Sequence, residues 1–428
     1  MTLKVSVVGG GSTYTPELVE GLVTFAERLP VDELALFDVD GERLEVVGSF
    51  ARRILAGAGL SEKVTMTTDR TEALEGSRFV IVQLRVGGQR ARLMDETIPL
   101  RHGCIGQETT GAGGFAKALR TVPLVIELAE DVARLAAPGA WLIDFTNPVG
   151  IVTQALLDAD HRAVGLCNVA IGLQKRLAAL LDVDPGEVEL EHVGLNHLSW
   201  ERAVRIQGED RLPEILERHG EWVAGELHLP VDLIQELGMI PSYYLRYFYA
   251  TDQVLAEQLQ GRTRAEEVLE IERSLLDLYR DPELRRKPDL LEQRGGAFYS
   301  EAAIRLISSL YSGSGDVQVV DVRNEGALPG FAADAVVEIP AAIGAGGAVP
   351  VSLAPLQPEI LGLAQHVKAY ERLAVEASLS GSRSVALKAL MTNPLVGTHA
   401  RASALLDDLL EANRSFLPRF FPRDAAVR

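Results

Sequence analysis

The sequence has few cysteines and no surplus of basic residues, and each shortage excludes a class of protein. Only two of its 428 residues are cysteines, Cys104 and Cys167, which is fewer than a disulfide-stabilised secreted protein uses. The formal net charge of -18 argues against nucleic-acid and anionic-membrane partners, which favour a basic surface. No apolar run reaches the roughly 18 residues that span a membrane, and the N-terminus has no signal-peptide pattern. We therefore expect a cytoplasmic protein that acts on a small molecule.

Short apolar segments alternate with helical patterns through residues 1–185. Such alternation predicts a doubly wound parallel sheet, an α/β fold of the Rossmann type that lactate and malate dehydrogenases share. The predicted helices include 44–56, 118–135 and 149–157, and another is predicted with Thr15 as its N-cap and Pro16 as its first residue. The predicted strands are 4–8, 34–37, 64–67, 79–84, 141–145 and 163–166.

The pattern changes beyond residue 185, so we predict a second, mixed α+β and largely helical domain over residues 186–428. Segments 187–192 and 200–206 indicate an antiparallel pair of strands. The glycine-rich segment 343–350 is interpreted as a loop between strands. Long helices are predicted at 265–279, 300–310, 360–377 and 384–390.

A glycine turn after the first strand indicates a nucleotide site. In a Gly-x-Gly turn the backbone approaches a pyrophosphate, and the next helix N-terminus supplies N–H donors. Tyr14 stands where the third glycine of the usual pattern would be, which weakens the motif. Asp38, at the end of the second strand, strengthens it, because a carboxylate there binds ribose hydroxyls and repels a 2′-phosphate. NAD is thus favoured over NADP, and the predicted contacts are Gly9, Gly11, Ser12, Thr13 and Asp38.

Cys167 and His197 form a candidate metal site. Taken singly, a buried cysteine is usually core filling and a lone histidine is usually part of the hydrogen-bonded structure. Cys167, however, follows a predicted parallel strand at the sheet edge where such folds bind ligands. Thiolate and imidazole alone would suggest zinc. Two protein ligands leave positions for substrate oxygens and water, as in a catalytic site.

Short segments spread along the chain match the pattern of one enzyme family. They are 8–18, 85–88, 95–99, 106–114, 118–123, 146–148, 166–169 and 194–197, with weaker matches at 244–249, 294–300 and 324–326. With these segments the chain resembles glycoside hydrolase family 4, and within it the members that act on 6-phospho-β-glucosides. These NAD-dependent enzymes depart from the usual two-carboxylate scheme of glycoside hydrolysis.

The resemblance implies a route of oxidation and elimination. NAD⁺ takes hydride from C3 of the sugar, which acidifies the proton on C2, and a tyrosinate removes that proton. A divalent metal, in this family usually Mn²⁺, holds the C2 and C3 oxygens. The aglycone then leaves, water adds, and the hydride returns to the sugar.

The resemblance also implies residue roles, which the bare pattern leaves open. Tyr244 matches the base, with Tyr243 as a competitor, and Glu108 matches a position that raises the basicity of that tyrosine. The tyrosines could equally form an aromatic core stripe, and the arginines could be solvated surface charges. The implied metal ligands are Cys167 and His197, and the implied substrate contacts are Arg92, Asn147, Asn168 and Arg264.

Asn168 bears on the stereochemistry of the reaction. The α-acting members have an Asp directly after the metal-binding cysteine, whereas this chain has an amide, which cannot be a general acid. Asn168 therefore favours β-linked substrates and leaves the group that assists aglycone departure unnamed. The family commonly has Pro where Ala170 stands here, so the loop beside the metal differs in stiffness.

Three other functions compete with this prediction. A plain dehydrogenase of the lactate/malate type would share the sheet but would need no metal. A family 4 member acting on unphosphorylated or α-linked sugars would share the chemistry. A non-catalytic sensor of NAD or sugar phosphate would not need the base. For the sugar-phosphate enzyme we expect a homodimer or homotetramer, as is common in the family.

Overall fold

Strands and helices alternate through the first part of the chain. The computed structural model describes residues 2–60, 63–295 and 298–422. The strands of this part are β1 (Lys4–Val8), β2 (Glu33–Phe37), β3 (Val64–Thr67), β4 (Phe79–Val82), β5 (Trp141–Asp144) and β6 (Ala163–Gly165). The helices are α1 (Thr15–Thr24), α2 (Gly41–Ala56), α3 (Arg70–Leu74), α4 (Gly88–Arg101), α5 (Gly111–Leu135), α6 (Val149–Asp158) and α7 (Val169–Leu181).

The second part is mostly helical. Its strands are β7 (Val188–Leu195), β8 (Leu198–Ile206), β9 (Glu209–Asp210), β10 (Ile240–Pro241), β11 (Asp316–Arg323), β12 (Val336–Gly344) and β13 (Gly347–Pro350). Its helices are α8 (Leu212–Leu227), α9 (Val231–Leu237), α10 (Arg246–Tyr249), α11 (Thr251–Gln260), α12 (Arg264–Tyr279), α13 (Leu290–Gln293), α14 (Tyr299–Ser312), α15 (Pro358–Ser380), α16 (Arg383–Thr392) and α17 (His399–Ala412).

The central sheet has the order β13-β12-β11-β6-β5-β4-β1-β2-β3. Strands β1 to β6 are parallel, and their order is that of a dinucleotide-binding Rossmann fold. Except for the edge strand β3, they are almost wholly buried and largely apolar, as expected for strands covered by helices on both faces. The predicted doubly wound sheet is confirmed, and its carboxyl edge is where ligands bind in such folds.

The sheet continues into the second part of the chain. Strand β11 joins β6 antiparallel, and β12 and β13 extend the edge. The prediction of a loop over residues 343–350 was wrong: Gly344 pairs with Gly347, so the segment is a tight hairpin whose glycines serve the turn. The division into domains 1–185 and 186–428 stays a prediction, because β11 to β13 share the first part's sheet.

Helix α5 begins seven residues before its predicted start, at Gly111 instead of residue 118. The first turn was not predicted to be helical because it is rich in glycine, and these glycines are needed for close packing. A Cβ at Gly113 would lie 2.2 Å from the carbonyl oxygen of Gln107, and one at Gly114 would lie 1.9 Å from that of Thr109. The first turn of α5 can therefore pack this closely against the preceding loop only if both positions lack a side chain. At α1, Thr15 is the first helical residue, and its hydroxyl donates to the Gly10 carbonyl instead of capping the helix.

A second, small sheet carries part of the site. Strands β7 and β8 are antiparallel, as predicted, and Leu195 pairs with Leu198, so only Asn196 and His197 form the turn. Strand β10 pairs with β8 on the other side. Across the described ranges, the chain contains no helix long and apolar enough to cross a bilayer.

Candidate active site

The turn after β1 brings the ends of two strands into close contact. Gly9 has φ +95°, and a Cβ there would lie 2.5 Å from the carbonyl oxygen of Gln83. The N–H groups of Gly9 and Gly10 both donate to the Phe37 carbonyl, at 2.9 and 2.7 Å. Glycine is required at position 9, because a side chain would be strained and would strike the backbone.

Asp38 is hydrogen-bonded to this turn. Its Oδ2 accepts from the N–H of Gly11 at 2.9 Å, and its Oδ1 accepts from the N–H of Asp40 at 3.1 Å. Arg43 donates from Nε to the Gly11 carbonyl at 2.6 Å. The turn and the carboxylate at the end of β2 therefore form one preorganised unit.

A cavity of about 620 Å³ lies beside this unit, a size typical of small-molecule sites. Gly9, Ser12 and Asp38 line it. Gly11 and Thr13 are not among its lining residues, and Thr13 is fully buried, with its carbonyl accepting from the Tyr279 hydroxyl at 2.9 Å. The glycine turn and a cavity of this size fit a dinucleotide.

Cys167 and Asn168 lie where β6 ends and α7 begins. Cys167 is buried. Burial, followed by the negative charge of Glu338, raises the pKa of its thiol well above the usual value. The Sγ lies 4.0 Å from Oδ1 of Asn168, and Asn168 occupies the N-cap position of α7. A buried thiol of this kind stays protonated unless a cation lies beside it.

His197 occupies the turn between β7 and β8 in a left-handed conformation, with φ +62°. Its side chain is buried, burial lowers its pKa to about 4, and its Nδ1 has no hydrogen-bond partner in the described part of the chain. A neutral imidazole with a free nitrogen and a nearby thiol are the donors that transition metals take. The pair therefore fits a divalent metal, although the described residues contain no group of three His, Cys, Asp or Glu side chains around it.

Tyr244 lies directly against His197. The two rings are stacked, with centroids 3.6 Å apart and planes 6° from parallel. Burial, and then the charge of Cys167, raises the pKa of Tyr244 well above its usual value. The adjacent Tyr243 points elsewhere: its hydroxyl accepts from Arg246 Nη1 at 2.7 Å, and its ring packs edge-on against His228. Of the two candidate bases, only Tyr244 contacts a candidate metal ligand.

Glu108 lies among three basic side chains. Its carboxylate accepts from Arg85 and, at 2.8 Å, from Lys117 Nζ, and Arg92 Nη2 lies 3.6 Å from its Oε1. Burial alone would raise the pKa of Glu108, but the charges of Arg85, Arg92 and Lys117 hold it well below its usual range. Burial and the charge of Arg85 lower the pKa of Lys117 to about 8. The cluster thus places a firmly ionised carboxylate among cations beside the cavity, which Lys117 and Arg85 line.

The predicted substrate contacts have three different locations. Asn147 lines the cavity, and its Oδ1 has no hydrogen-bond partner among the described residues. Arg92 is buried behind the cavity, where its Nε donates to Glu96 at 2.8 Å. Arg264 is exposed at the start of α12, where it binds Glu267 at 2.8 Å and lines neither of the two described cavities. Cys167 and Tyr244 likewise line neither cavity, whereas His197 borders the second one, of about 30 Å³.

A buried network supports the His197 turn from behind. His192 lies between two carboxylates, with Nδ1 2.7 Å from Glu201 and Nε2 3.0 Å from Glu338. The other oxygen of Glu338 accepts from Asn196 Nδ2 at 3.1 Å. The residue before His197 is therefore tied to β12, on the central sheet.

Sequence reasoning missed several residues of the site. Arg85 could have been found, because it follows a buried parallel strand just as Asn147 and Cys167 do. Lys117 gave no signal, since a lysine in a glycine- and alanine-rich helix is ordinarily exposed. Glu272 is held by Arg43 at 3.2 Å and by Arg294 at 3.0 Å; it reaches the cavity from α12, more than two hundred residues after the glycine turn, and only the fold reveals it.

The sheet order, the glycine turn and the cavity define a Rossmann-fold protein with a dinucleotide-sized cavity at the carboxyl edge of its sheet. The malate dehydrogenase of Plasmodium falciparum shares the fold, at a TM-score of 0.54 and 15% identity over 89% of this chain and 99% of that one. The model for the "Family 4 glycosyl hydrolase" matches residues 4–183, and that for the "Family 4 glycosyl hydrolase C-terminal domain" matches residues 192–396. The chain belongs to family 4 of the glycosyl hydrolases.

Two relatives within the family are similar over nearly their whole length. A probable 6-phospho-β-glucosidase of Bacillus subtilis (strain 168) is 42% identical over 98% of both chains. The solved structure of the 6-phospho-β-glucosidase of Thermotoga maritima, with manganese, NAD⁺ and glucose-6-phosphate, is 35% identical over 97% of this chain and 99% of that one, with a TM-score of 0.90. The resemblance inferred from the short segments is confirmed.

Proposed function

We propose that the chain hydrolyses 6-phospho-β-glucosides by transient oxidation of the sugar, with NAD⁺ and a divalent cation, Mn²⁺, as cofactors. The observation that carries the proposal is the stack of Tyr244 on His197 beside Cys167, near a cavity that begins at a nucleotide turn. The relatives named above, and the NAD⁺, manganese and glucose-6-phosphate of the Thermotoga maritima structure, support the same substrate and cofactors.

Cys167 and His197 would hold the metal, and Gly9, Ser12 and Asp38, which line the cavity, would hold the dinucleotide. Contacts of Gly11 and Thr13 with the dinucleotide stay predictions, because neither residue lines the cavity. When bound, NAD⁺ would accept and return a hydride at C3 of the sugar, and the cation would polarise the C2 and C3 oxygens. The free Nδ1 of His197 is a ligand atom that needs no rearrangement of hydrogen bonds. A reducing cytoplasm suits this site, because Cys167 must remain a thiol.

Tyr244 would be the base, with its Oη accepting the proton from sugar C2. Stacking on His197 fixes the ring, so the Oη has a defined position relative to the metal ligands. After burial and the Cys167 charge, the negative charge of Glu108 also raises the phenol's pKa. Glu108 would thereby increase the basicity of Tyr244, whereas the nearby cation would favour its ionisation.

The cationic cluster would receive an anionic substrate. Arg85, Arg92 and Lys117 surround the carboxylate of Glu108, and Arg92 also pairs with Glu96. Three cations against two carboxylates leave this part of the site with a positive surplus, which suits a sugar phosphate. Asn147 has a free Oδ1 at the cavity for a sugar hydroxyl. A substrate contact of Arg264 stays a prediction, because its guanidinium lies away from the described cavity. A homodimeric or homotetrameric state also stays a prediction.

Asn168, next to Cys167, would contact the substrate through its amide and cannot donate a proton as an acid would. This favours β- over α-linked substrates. The test is hydrolysis of four nitrophenyl glucosides, α or β, with and without a 6-phosphate, in the presence of NAD⁺, Mn²⁺ and a thiol reductant. We expect release from the β-6-phosphate alone, lost when NAD⁺ or Mn²⁺ is omitted and without accumulation of NADH. Stoichiometric NADH would indicate a dehydrogenase, and release without either cofactor would indicate an ordinary hydrolase.

A further inference from the structure

The C-terminal end of the described chain reaches the nucleotide cavity. Helix α17 is followed by a 3-10 turn, Arg414–Phe416, and the Phe416 ring lines the cavity while remaining 37% exposed. A Cβ at Gly87, five residues beyond β4, would lie 3.2 Å from Cε2 of Phe416. A segment about 250 residues after β6, the last of the Rossmann strands, thus contributes a wall to their ligand site.

The turn that carries Phe416 is anchored by a buried arginine. Arg120, 3% exposed on α5, donates to Asn413 Oδ1 at 2.8 Å and to the Val86 carbonyl at 3.3 Å. It also pairs with Asp95 at 2.7 Å. Asn413 in turn accepts the N–H of Phe416 at its carbonyl, at 2.8 Å. One side chain therefore fixes the C-terminal turn and the loop after β4 relative to each other.

The cavity near this turn is largely apolar. Val86 and Leu124 line it together with Phe416, and so does Val39, which directly follows Asp38 and is 87% exposed. Exposed apolar side chains on a cavity gain free energy when a flat apolar group covers them. In a Rossmann site the ribose lies at the carboxylate that ends the second strand, so the base of the adenosine lies beyond it, next to Val39.

We infer that Phe416 forms one wall of the adenine subsite, so that the C-terminal turn recognises the adenosine half of the dinucleotide. The inference rests on the proposed NAD⁺ role and adds a residue outside the Rossmann strands to it. Phe416 is a positioning contact for the cofactor and takes no part in the chemistry. Its loss would weaken binding of the adenosine half of the cofactor.

The test is isothermal titration calorimetry of the full chain with NAD⁺, with ADP-ribose and with nicotinamide mononucleotide. The Kd of each ligand is compared between the parent and Phe416→Ala. We expect Phe416→Ala to raise the Kd for NAD⁺ and for ADP-ribose by about tenfold, or ~1.4 kcal/mol. The Kd for nicotinamide mononucleotide should not change, because that ligand lacks the adenosine half. Phe416→Trp, which keeps a flat ring, should restore most of the affinity.

Phe420→Ala is the matched control, since it removes the same ring from the same terminal segment but from a partly buried position that does not line the cavity. It should leave all three Kd values unchanged. Equal losses of NAD⁺ affinity in the two alanine variants would overturn the inference. So would a loss of affinity for all three ligands in Phe416→Ala, or an unchanged NAD⁺ affinity in that variant. If the parent chain itself bound no NAD⁺, the proposed function would fail instead.

Discussion

The imidazole of His197 and the phenol of Tyr244 lie face to face, with ring centroids 3.6 Å apart. One ring comes from a hairpin turn and the other from the 3-10 turn Tyr243–Leu245 that follows β10. Strand β10 pairs with β8, the strand that leaves the hairpin, so both rings are held by the same small sheet. The proposed metal ligand and the proposed base are thus carried by one small sheet, which fixes the spacing that the chemistry needs.

Replacing Tyr244 by Phe separates the packing of the ring against His197 from the proposed proton transfer to its Oη. The variant keeps the stack on His197 but has no Oη to accept a proton, so we expect kcat to fall about 10²- to 10⁴-fold. The Kd values for Mn²⁺ and NAD⁺ should stay near those of the parent. Tyr243→Phe is the control, and it should lose little activity because the Tyr243 hydroxyl binds Arg246. A larger loss in Tyr243→Phe than in Tyr244→Phe would reverse the assignment.

Cys167 and Cys104 are both buried, free thiols, and they should respond differently to substitution. Cys167→Ser replaces a thiol, which can ionise beside a cation, by a hydroxyl that stays neutral, so we expect Mn²⁺ affinity to fall at least about tenfold. Cys104→Ser should keep the parental Mn²⁺ affinity. Titration of the chelator-treated proteins with Mn²⁺ measures both. Equal affinity in the parent and Cys167→Ser would remove Cys167 from the metal site.

We expect His192 to make the free energy of unfolding fall as the pH becomes alkaline. Burial alone would lower its pKa, but Glu201 and Glu338 raise it to about 10. Because the folded pKa lies above the ordinary value, this stabilisation is complete below about pH 6.5 and is lost as the pH rises through 10. Urea unfolding should show a fall in the free energy of unfolding between pH 8 and pH 10.5.

The same titration in His192→Gln gives the matched comparison. That variant should be less stable at pH 7 by about 3–5 kcal/mol, because two buried carboxylates lose their cation, and its stability should change less between pH 8 and pH 10.5. Parallel pH profiles for the two proteins would show that another group is responsible.

Asp38 should determine the choice between NAD⁺ and NADP⁺. Asp38→Ala removes the carboxylate that would bind the ribose hydroxyls and repel a 2′-phosphate. We expect the Kd for NAD⁺ to rise about tenfold and the ratio of the two Kd values to shift toward NADP⁺. Asp69→Ala, which removes the N-cap of α3 away from the cavity, serves as the control. An unchanged ratio would place the ribose elsewhere.

The central sheet was predictable because buried parallel strands are continuous apolar runs between helical segments, and the strands from β1 to β6, apart from the edge strand β3, follow that rule. The candidate site residues Asp38 and Cys167 could be singled out because they follow such strands, whereas Asn147 was indicated only by the family resemblance. The start of α5 was missed because its glycines, which lower helix propensity, are there for close packing.

Other parts of the site depend on contacts between residues distant in the sequence. Lys117 and Glu272 project from helices whose orientation a single sequence does not reveal. Phe416 lies far beyond the Rossmann strands and reaches the cavity through the Arg120–Asn413 contact. No local pattern marks such residues, because their positions are set by packing between distant segments.

The most direct test of the oxidation–elimination account is hydrolysis of a 6-phospho-β-glucoside in D₂O, followed by NMR of the glucose-6-phosphate formed. If Tyr244 removes the C2 proton and the solvent supplies its replacement, the product should carry deuterium at C2, while the hydride returned to C3 remains protium. Product with protium at C2, formed at the full rate, would contradict the account and indicate direct displacement at the anomeric carbon.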